Sequence, residues 1–244
     1  MMNIMRASPS QLFEYGPFTI RRMRPGEIDP MRNDSAFGPL AIIDHMQLES
    51  GARIAMHQHV NDEILHYVWR GSMLHEDDRG ERTPLSAKKA MLISAGCGVW
   101  HEESAPLVET EMLQVFIRPE EADVEGSVQF MARPEGAVDG QWTLLAGPQD
   151  AGAPLTVRQR VWAWDIRLTA KSSAAAPYRD GLAQWLYVAE GSVIVGGERL
   201  SKGDAISDGL QALPLIEARR DAILVCFQVD PDAKMSLAGR ISGQ

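Results

Sequence analysis

His57-Gln58-His59 places two imidazoles at i and i+2, and on a strand such residues point to the same face. Glu63 follows and shares their parity if the extended path resumes after Val60-Asn61-Asp62. A second group lies in Gly96-Cys97-Gly98-Val99-Trp100-His101-Glu102-Glu103, where His101 and Glu103 are again at i and i+2. The glycines before them suit a close approach or a positive-φ turn. Three imidazoles and a carboxylate from two separate strands can surround one divalent ion. The mix suits Fe(II), Mn(II), Ni(II), Cu(II) or Zn(II) and does not choose among them. One His-x-His alone is weak, and the second pair is what gives the metal reading its weight. On the strand after Glu63, odd positions carry Leu65, Tyr67 and Trp69, and even positions carry Ile64, His66 and Val68. If the odd face lines an interior, Glu63 is an interior carboxylate that needs a metal or a histidine as partner. His66 then has the wrong parity and belongs to an outer face or interface. His45 reads as a structural residue at a strand end, and His75 as a residue near the pocket mouth.

All six histidines lie within the first 101 residues of 244. The remaining composition is ordinary for a globular chain: 45% hydrophobic, 23% charged, net charge −9. It excludes a disordered tail, a collagen and a disulfide-stapled miniprotein. The acidic balance and the lack of a basic stripe argue against direct nucleic-acid binding; Arg21-Arg22-Met23-Arg24 is short enough to be a strand end. No apolar run is long enough for a transmembrane helix, and the first residues lack a secretory pattern, so no membrane association is expected and the chain reads as cytoplasmic. Cys97 and Cys226 accordingly read as thiols.

The elements that must position these residues are short strands. Apolar runs at Leu40–Asp44, Ile64–Trp69, Ala90–Ser94, Leu113–Arg118, Trp162–Leu168, Trp185–Val188 and Ala222–Val229 are bounded by Gly, Pro, Asp or Ser, and helical periodicity is scarce. The charged segment 76–81 reads as a solvated hairpin tip. The chain also repeats itself: Tyr67, Val68, Gly71 and Ser72 recur as Tyr187, Val188, Gly191 and Ser192 at one constant spacing. Ser86 to Ala90 parallels Ser201 to Ala205 at a slightly shorter one. The pattern predicts two related β-domains, 1–130 and 131–244, with a Pro- and Gly-rich linker within Arg118–Gly152.

Gly51-x5-His57-x-His59-x3-Glu63 resembles the first cupin motif and Gly98-x2-His101 the second. Ser94 to Glu103, Tyr67-Val68-x-x-Gly71 followed by His75, and Phe37-Gly38-Pro39-Leu40 leading to Asp44 resemble the pirin family more specifically. The resemblance implies an all-β bicupin: two jelly-roll-like β-barrels in one chain, few short helices, and metal in the N-terminal barrel only. It implies His57, His59, His101 and Glu103 as metal ligands, with Glu63 as a pocket group, although the general cupin pattern would make Glu63 the carboxylate ligand. A single divalent transition metal is expected, Fe(II) first, with Mn, Ni, Co, Cu or Zn as other occupants. Gln58 and Val60 stand where the family usually has Pro and a basic residue, Ala87-Lys88-Lys89 replaces Pro-Gly-Asp, and Glu102 replaces Ser. None of these removes a ligand.

The activity implied by the resemblance is that of a metal-dependent dioxygenase cleaving flavonols such as quercetin, of the quercetin 2,3-dioxygenase type, with dioxygen as co-substrate. In that reading Glu103 or Glu63 is the catalytic base, its pKa raised by burial beside Leu65 and Trp69, and the ring is cleaved with loss of carbon monoxide. The alternative is a non-catalytic regulator that binds a protein partner according to the metal's redox state, with Ile64 and Val68 at the interface. A third reading is a cupin acting on another small molecule, such as an isomerase. In the second repeat the positions of His57, His59 and Glu63 fall on Pro177, Arg179 and Ala183, and those of His101 and Glu103 on Ile216 and Ala218. The C-terminal barrel therefore should not carry this chemistry.

Overall fold

Short β-branched and aromatic runs bounded by turn residues become strands throughout the computed structural model, which describes residues 2–244. The first half contains β1 (Asn3–Met5), β2 (Leu12–Glu14), β3 (Phe18–Met23), β4 (Leu40–Leu48), β5 (Ala52–His59), β6 (Glu63–Arg70), β7 (Ser72–Asp77), β8 (Arg82–Ser86), β9 (Lys89–Ser94), β10 (Val99–Ala105), β11 (Thr110–Ile117) and β12 (Ser127–Ala132). The second contains β13 (Thr143–Gly147), β14 (Leu155–Thr156), β15 (Val161–Leu168), β16 (Ser173–Ala174), β17 (Ala183–Glu190), β18 (Ser192–Val195), β19 (Glu198–Ser201), β20 (Ala205–Ser207), β21 (Ile216–Ala218) and β22 (Ala222–Val229). Among the described residues the helical content is three 3-10 turns, and no helix is long and apolar enough to cross a membrane.

Strands β2 to β12 form one curled sheet in the order β2-β3-β4-β11-β6-β9-β8-β7-β10-β5, with β12 added at β9. The second half forms a seven-stranded sheet, β1-β20-β17-β22-β15-β13-β14, and a four-stranded one, β16-β21-β18-β19. The two halves match as the repeat predicts, β6 with β17 and β9 with β20. Gly71 and Gly191 show why the repeat keeps glycine there. Both have positive φ (77° and 80°), and a Cβ would lie 2.0 Å from the Glu109 carbonyl oxygen and 1.9 Å from that of Asp221.

Three apolar clusters hold the chain together. One fills the first barrel (Ile42, Met46, Ile64, Val68, Met91, Phe116), one the second (Ile166, Leu186, Val188, Leu200, Leu224), and the third lies between them. This middle cluster packs Leu65, Tyr67 and Trp69 of β6 against Trp185, Tyr187 and Phe227. Each such side chain contributes about 1.5–3 kcal/mol by leaving water. Strand β6 is thus buried on both faces, which explains its continuous apolar run. The expected assignment of its faces is reversed: odd positions meet the second barrel, and even positions point into the first. The cause is the turn after β5. Asn61 adopts φ 56°, locked by hydrogen bonds between its side-chain amide and Asp123, so the alternation does not carry through from His59 to Glu63.

Segment 118–152 is not a slack linker. It contributes β12 to the first sheet and β13 to the second. The chain ends also cross over: β1 pairs with β20, and the Ser242 amide and hydroxyl donate to Asp62 in the first barrel. Cys97 is exposed and Cys226 buried, both as thiols.

Candidate metal centre

Adjacent antiparallel strands β5 and β10 set His57 opposite His101 and His59 opposite Val99. A register shift between His101 and Glu103 bends the pair at this point. Gly96 makes the approach to β10: its φ is 47° and a Cβ would lie 2.0 Å from the Val124 carbonyl oxygen. The His57 and His59 Nε2 atoms are 3.0 Å apart, and the His101 ring centroid lies 4.5 Å from that of His57 and 5.0 Å from that of His59. One nitrogen from each ring falls within a 4.8 Å cluster. The far sides of the His57 and His101 rings are held. His57 Nδ1–H donates to the Ala55 carbonyl at 2.9 Å, His101 Nδ1 shares a hydrogen with His75 Nδ1 at 3.2 Å, and His59 Nδ1 faces Asp62 at 3.7 Å. His101 Nε2 is buried without a partner. Burial lowers the pKa of His57, and pushes that of His101 down to about 2, so these rings stay neutral, the form that binds metals.

Glu103 is buried and lies with His66 and His101 in a second cluster of ligand atoms. His66 Nε2 is 2.8 Å from Glu103 Oε1, and Gln114 Nε2 is 3.4 Å from Glu103 Oε2. Burial opposes ionisation of Glu103, but His66, by charge and hydrogen bond, together with His101 and His57, outweighs it and holds the carboxyl well below its usual range. His66 is the residue that sequence reasoning misplaced. It points into the barrel because of the reversed alternation, and the signal that could have found it is a polar residue in an otherwise apolar run. His75 is buried behind His101 rather than at a mouth. His45 lies in the middle of β4, and its Nδ1 and Nε2 are 2.6 Å from the Tyr187 hydroxyl and from Glu111, a bridge between the barrels.

A pirin family model matches residues 14–117, and a quercetinase C-terminal cupin domain model matches residues 144–229. This chain belongs to the pirin family. It is 27% identical over 202 residues to a quercetin 2,3-dioxygenase of Escherichia coli, covering 82% of this chain and 86% of that one. A structure of the bacterial pirin YhhW of E. coli in complex with nickel(II) superposes with a TM-score of 0.80 at 22% identity, over 95% of this chain and 100% of the other. A quercetin 2,3-dioxygenase from Acinetobacter baumannii does so at 0.74 and 18%, over 93% and 85%.

A pirin metal fits the donor set. The His101 Nε2 atom is buried with no hydrogen bond, Glu103 Oε1 has only the His66 ring close by, and the close His57 and His59 nitrogens can share at most one proton. Such unsatisfied, convergent atoms cost stability unless an ion or proton joins them. Among the described residues, no such cluster of ligand atoms occurs in the second barrel of this pirin. Ile216 and Ala218 are buried in its apolar core, and the Arg179 guanidinium lies 5.1 Å from the Trp162 ring centroid.

Glu63 is not brought to this cluster. Its Oε2 accepts from the Ser94 hydroxyl at 2.8 Å and the Arg158 amide at 3.1 Å, at the face toward the second barrel. Burial pushes its carboxyl up to about 7, against the Arg158 amide and Ser94 hydroxyl that lower it. A raised folded-state pKa means that Glu63 favours the folded protein below its ordinary value of 4.5, and that this contribution is lost as pH rises through about 7. Glu63→Gln keeps an acceptor but cannot ionise. Relative to wild type, it is expected to be neutral near pH 4.5 and stabilising by on the order of 3 kcal/mol at pH 8. Urea unfolding across that range measures the difference. Ile64 and Val68, the outer-face residues of the partner-binding reading, are inside the first barrel.

Proposed function

We propose that this pirin is a metal-dependent dioxygenase that cleaves flavonols of the quercetin type, with His57, His59, His101 and Glu103 holding one divalent ion, iron(II) first. The observation that carries the reading is a pair of ligand-atom clusters in the first barrel that share His101, one with His57 and His59 and one with His66 and Glu103. The naming of the E. coli relative supports the substrate class. The ion, when bound, would supply Lewis acidity and a common point of attachment for substrate and dioxygen. The chain supplies the rest. His57 and His101 are oriented by Ala55 and His75, so that their Nε2 atoms face the pocket. Glu103 is the base in this reading. Its carboxylate accepts the flavonol hydroxyl proton at one oxygen, while burial of the cluster excludes competing water. Glu63 has no part in this step.

The test is to load metal-free protein separately with Fe, Mn, Ni, Co and Cu, add quercetin in air, and follow its visible absorbance together with carbon monoxide release. Loss of absorbance with at least one metal, and none in metal-free protein, is expected. Quercetin that survives in every metal-loaded sample would sink the proposal.

A further inference from the structure

Glu103 is held by two residues that belong to no expected ligand set. His66 on β6 and Gln114 on β11 are direct cross-strand partners, and both are buried. His66 Nε2 approaches Glu103 Oε1 to 2.8 Å, and Gln114 Nε2 reaches Glu103 Oε2 at 3.4 Å and His66 Nε2 at 2.9 Å. His66 Nε2 and Glu103 Oε1 are within ion-pair distance, and the Gln114 amide nitrogen lies beside both groups. His66 Nδ1 is buried with no hydrogen-bond partner, so the ring's close polar contacts run through Nε2. The His66 ring also meets the His101 ring edge to face at 5.9 Å. His66 therefore touches both the carboxylate and the third histidine. A glutamate side chain loses about 1.5–2 kcal/mol of rotamer freedom when fixed. With one oxygen beside His66 and the other beside Gln114, that cost is met before an ion arrives.

We propose that His66, supported by Gln114, is a positioning residue for metal capture: it orients the Glu103 carboxylate toward the pocket of His57, His59 and His101. The inference rests on reading this cluster as a metal centre and is independent of the reaction. Its action passes through Glu103, so it can be separated from a ligand role of His66 itself.

The experiment measures Ni(II) affinity by competition with a chromophoric chelator, and the absorption of the Co(II)-loaded protein, in the full chain. His66→Ala is expected to lose affinity about 10- to 100-fold, the range found when groups that orient metal ligands are removed. His66→Gln supplies a polar side chain with an N–H donor within reach of Glu103 and is expected to recover most of the loss. In a Glu103→Gln background, His66→Ala is expected to add little, because the group it positions is already gone. Thermal unfolding of the metal-free variants reports folding. If His66→Ala does not fold, Gln114→Leu carries the test, with a smaller loss of affinity expected. Unchanged affinity and unchanged Co(II) absorption in the folded variants overturn the proposal. So does an undiminished His66→Ala effect in the Glu103→Gln background, which would make His66 a ligand. Loss of Ni(II) affinity in His66→Ala, with a wild type that leaves quercetin intact, retires the dioxygenase reading and leaves this one standing.

Discussion

His101→Ala is expected to abolish stoichiometric metal binding while leaving the metal-free fold nearly unchanged. His101 is fully buried and belongs to both clusters of ligand atoms, so its loss breaks the three-histidine set and the group around Glu103 together. Metal-binding free energies for four-ligand sites are about 10–16 kcal/mol, so one ligand accounts for roughly 3 kcal/mol, a hundredfold or more in affinity. The metal-free protein responds differently. The Nε2 of His101 is buried without a partner, and removing it relieves a cost of about 1–3 kcal/mol, which offsets the packing lost around a smaller side chain. Metal content after loading and dialysis checks the first half. Urea unfolding without metal checks the second. Full metal occupancy in the variant would remove His101 from the centre.

Asp165→Ala is expected to be the most damaging single change away from the metal centre. Asp165 on β15 pairs with Arg133 and accepts from the Tyr67 hydroxyl at 2.8 Å, and all three are buried. The Arg133 guanidinium also lies over the Tyr67 ring, 5.2 Å from its centroid. The group ties the segment after β12 to β6 of the first barrel and β15 of the second. Burial raises the Asp165 pKa even against the nearby Arg133 charge, which shows how little water helps here. Alanine leaves a buried guanidinium unpaired, a loss of about 3–5 kcal/mol. The double variant Arg133→Met/Asp165→Leu removes both charges and is expected to recover most of it. Urea midpoints of the two variants and wild type decide this, and a loss below about 1 kcal/mol for Asp165→Ala would show that the pair is dispensable.

Much of the fold was legible because its signals are local. Apolar runs such as Trp162–Leu168 and Ala222–Val229 are strands in the structure, and the repeat around Tyr67 and Tyr187 falls on equivalent strands β6 and β17. The charged segment after β7 is the expected hairpin turn, with the Asp77 carboxylate accepting from the amides of Arg79 and Glu81. The sharing of strands was not legible. That β12 joins the first sheet, and β1 the second, depends on partners far away in sequence.

The uneven distribution of histidine turns out to be more concentrated than spacing alone suggested: His57, His59, His66, His75 and His101 form one group in the first barrel, and His45 bridges the barrels. The sequence by itself determined the His57/His59 and His101/Glu103 pairs, because i and i+2 on one strand share a face whatever surrounds them. It also determined that the second barrel has no histidine, since none follows residue 101. Only the tertiary structure decided the phase of β6 relative to β5. One residue in the left-handed region at Asn61 reverses which face looks inward, and so takes Glu63 out to the barrel interface and brings His66 in to Glu103. Strand alternation is a rule within one extended segment, and a turn held by distant Asp123 resets it.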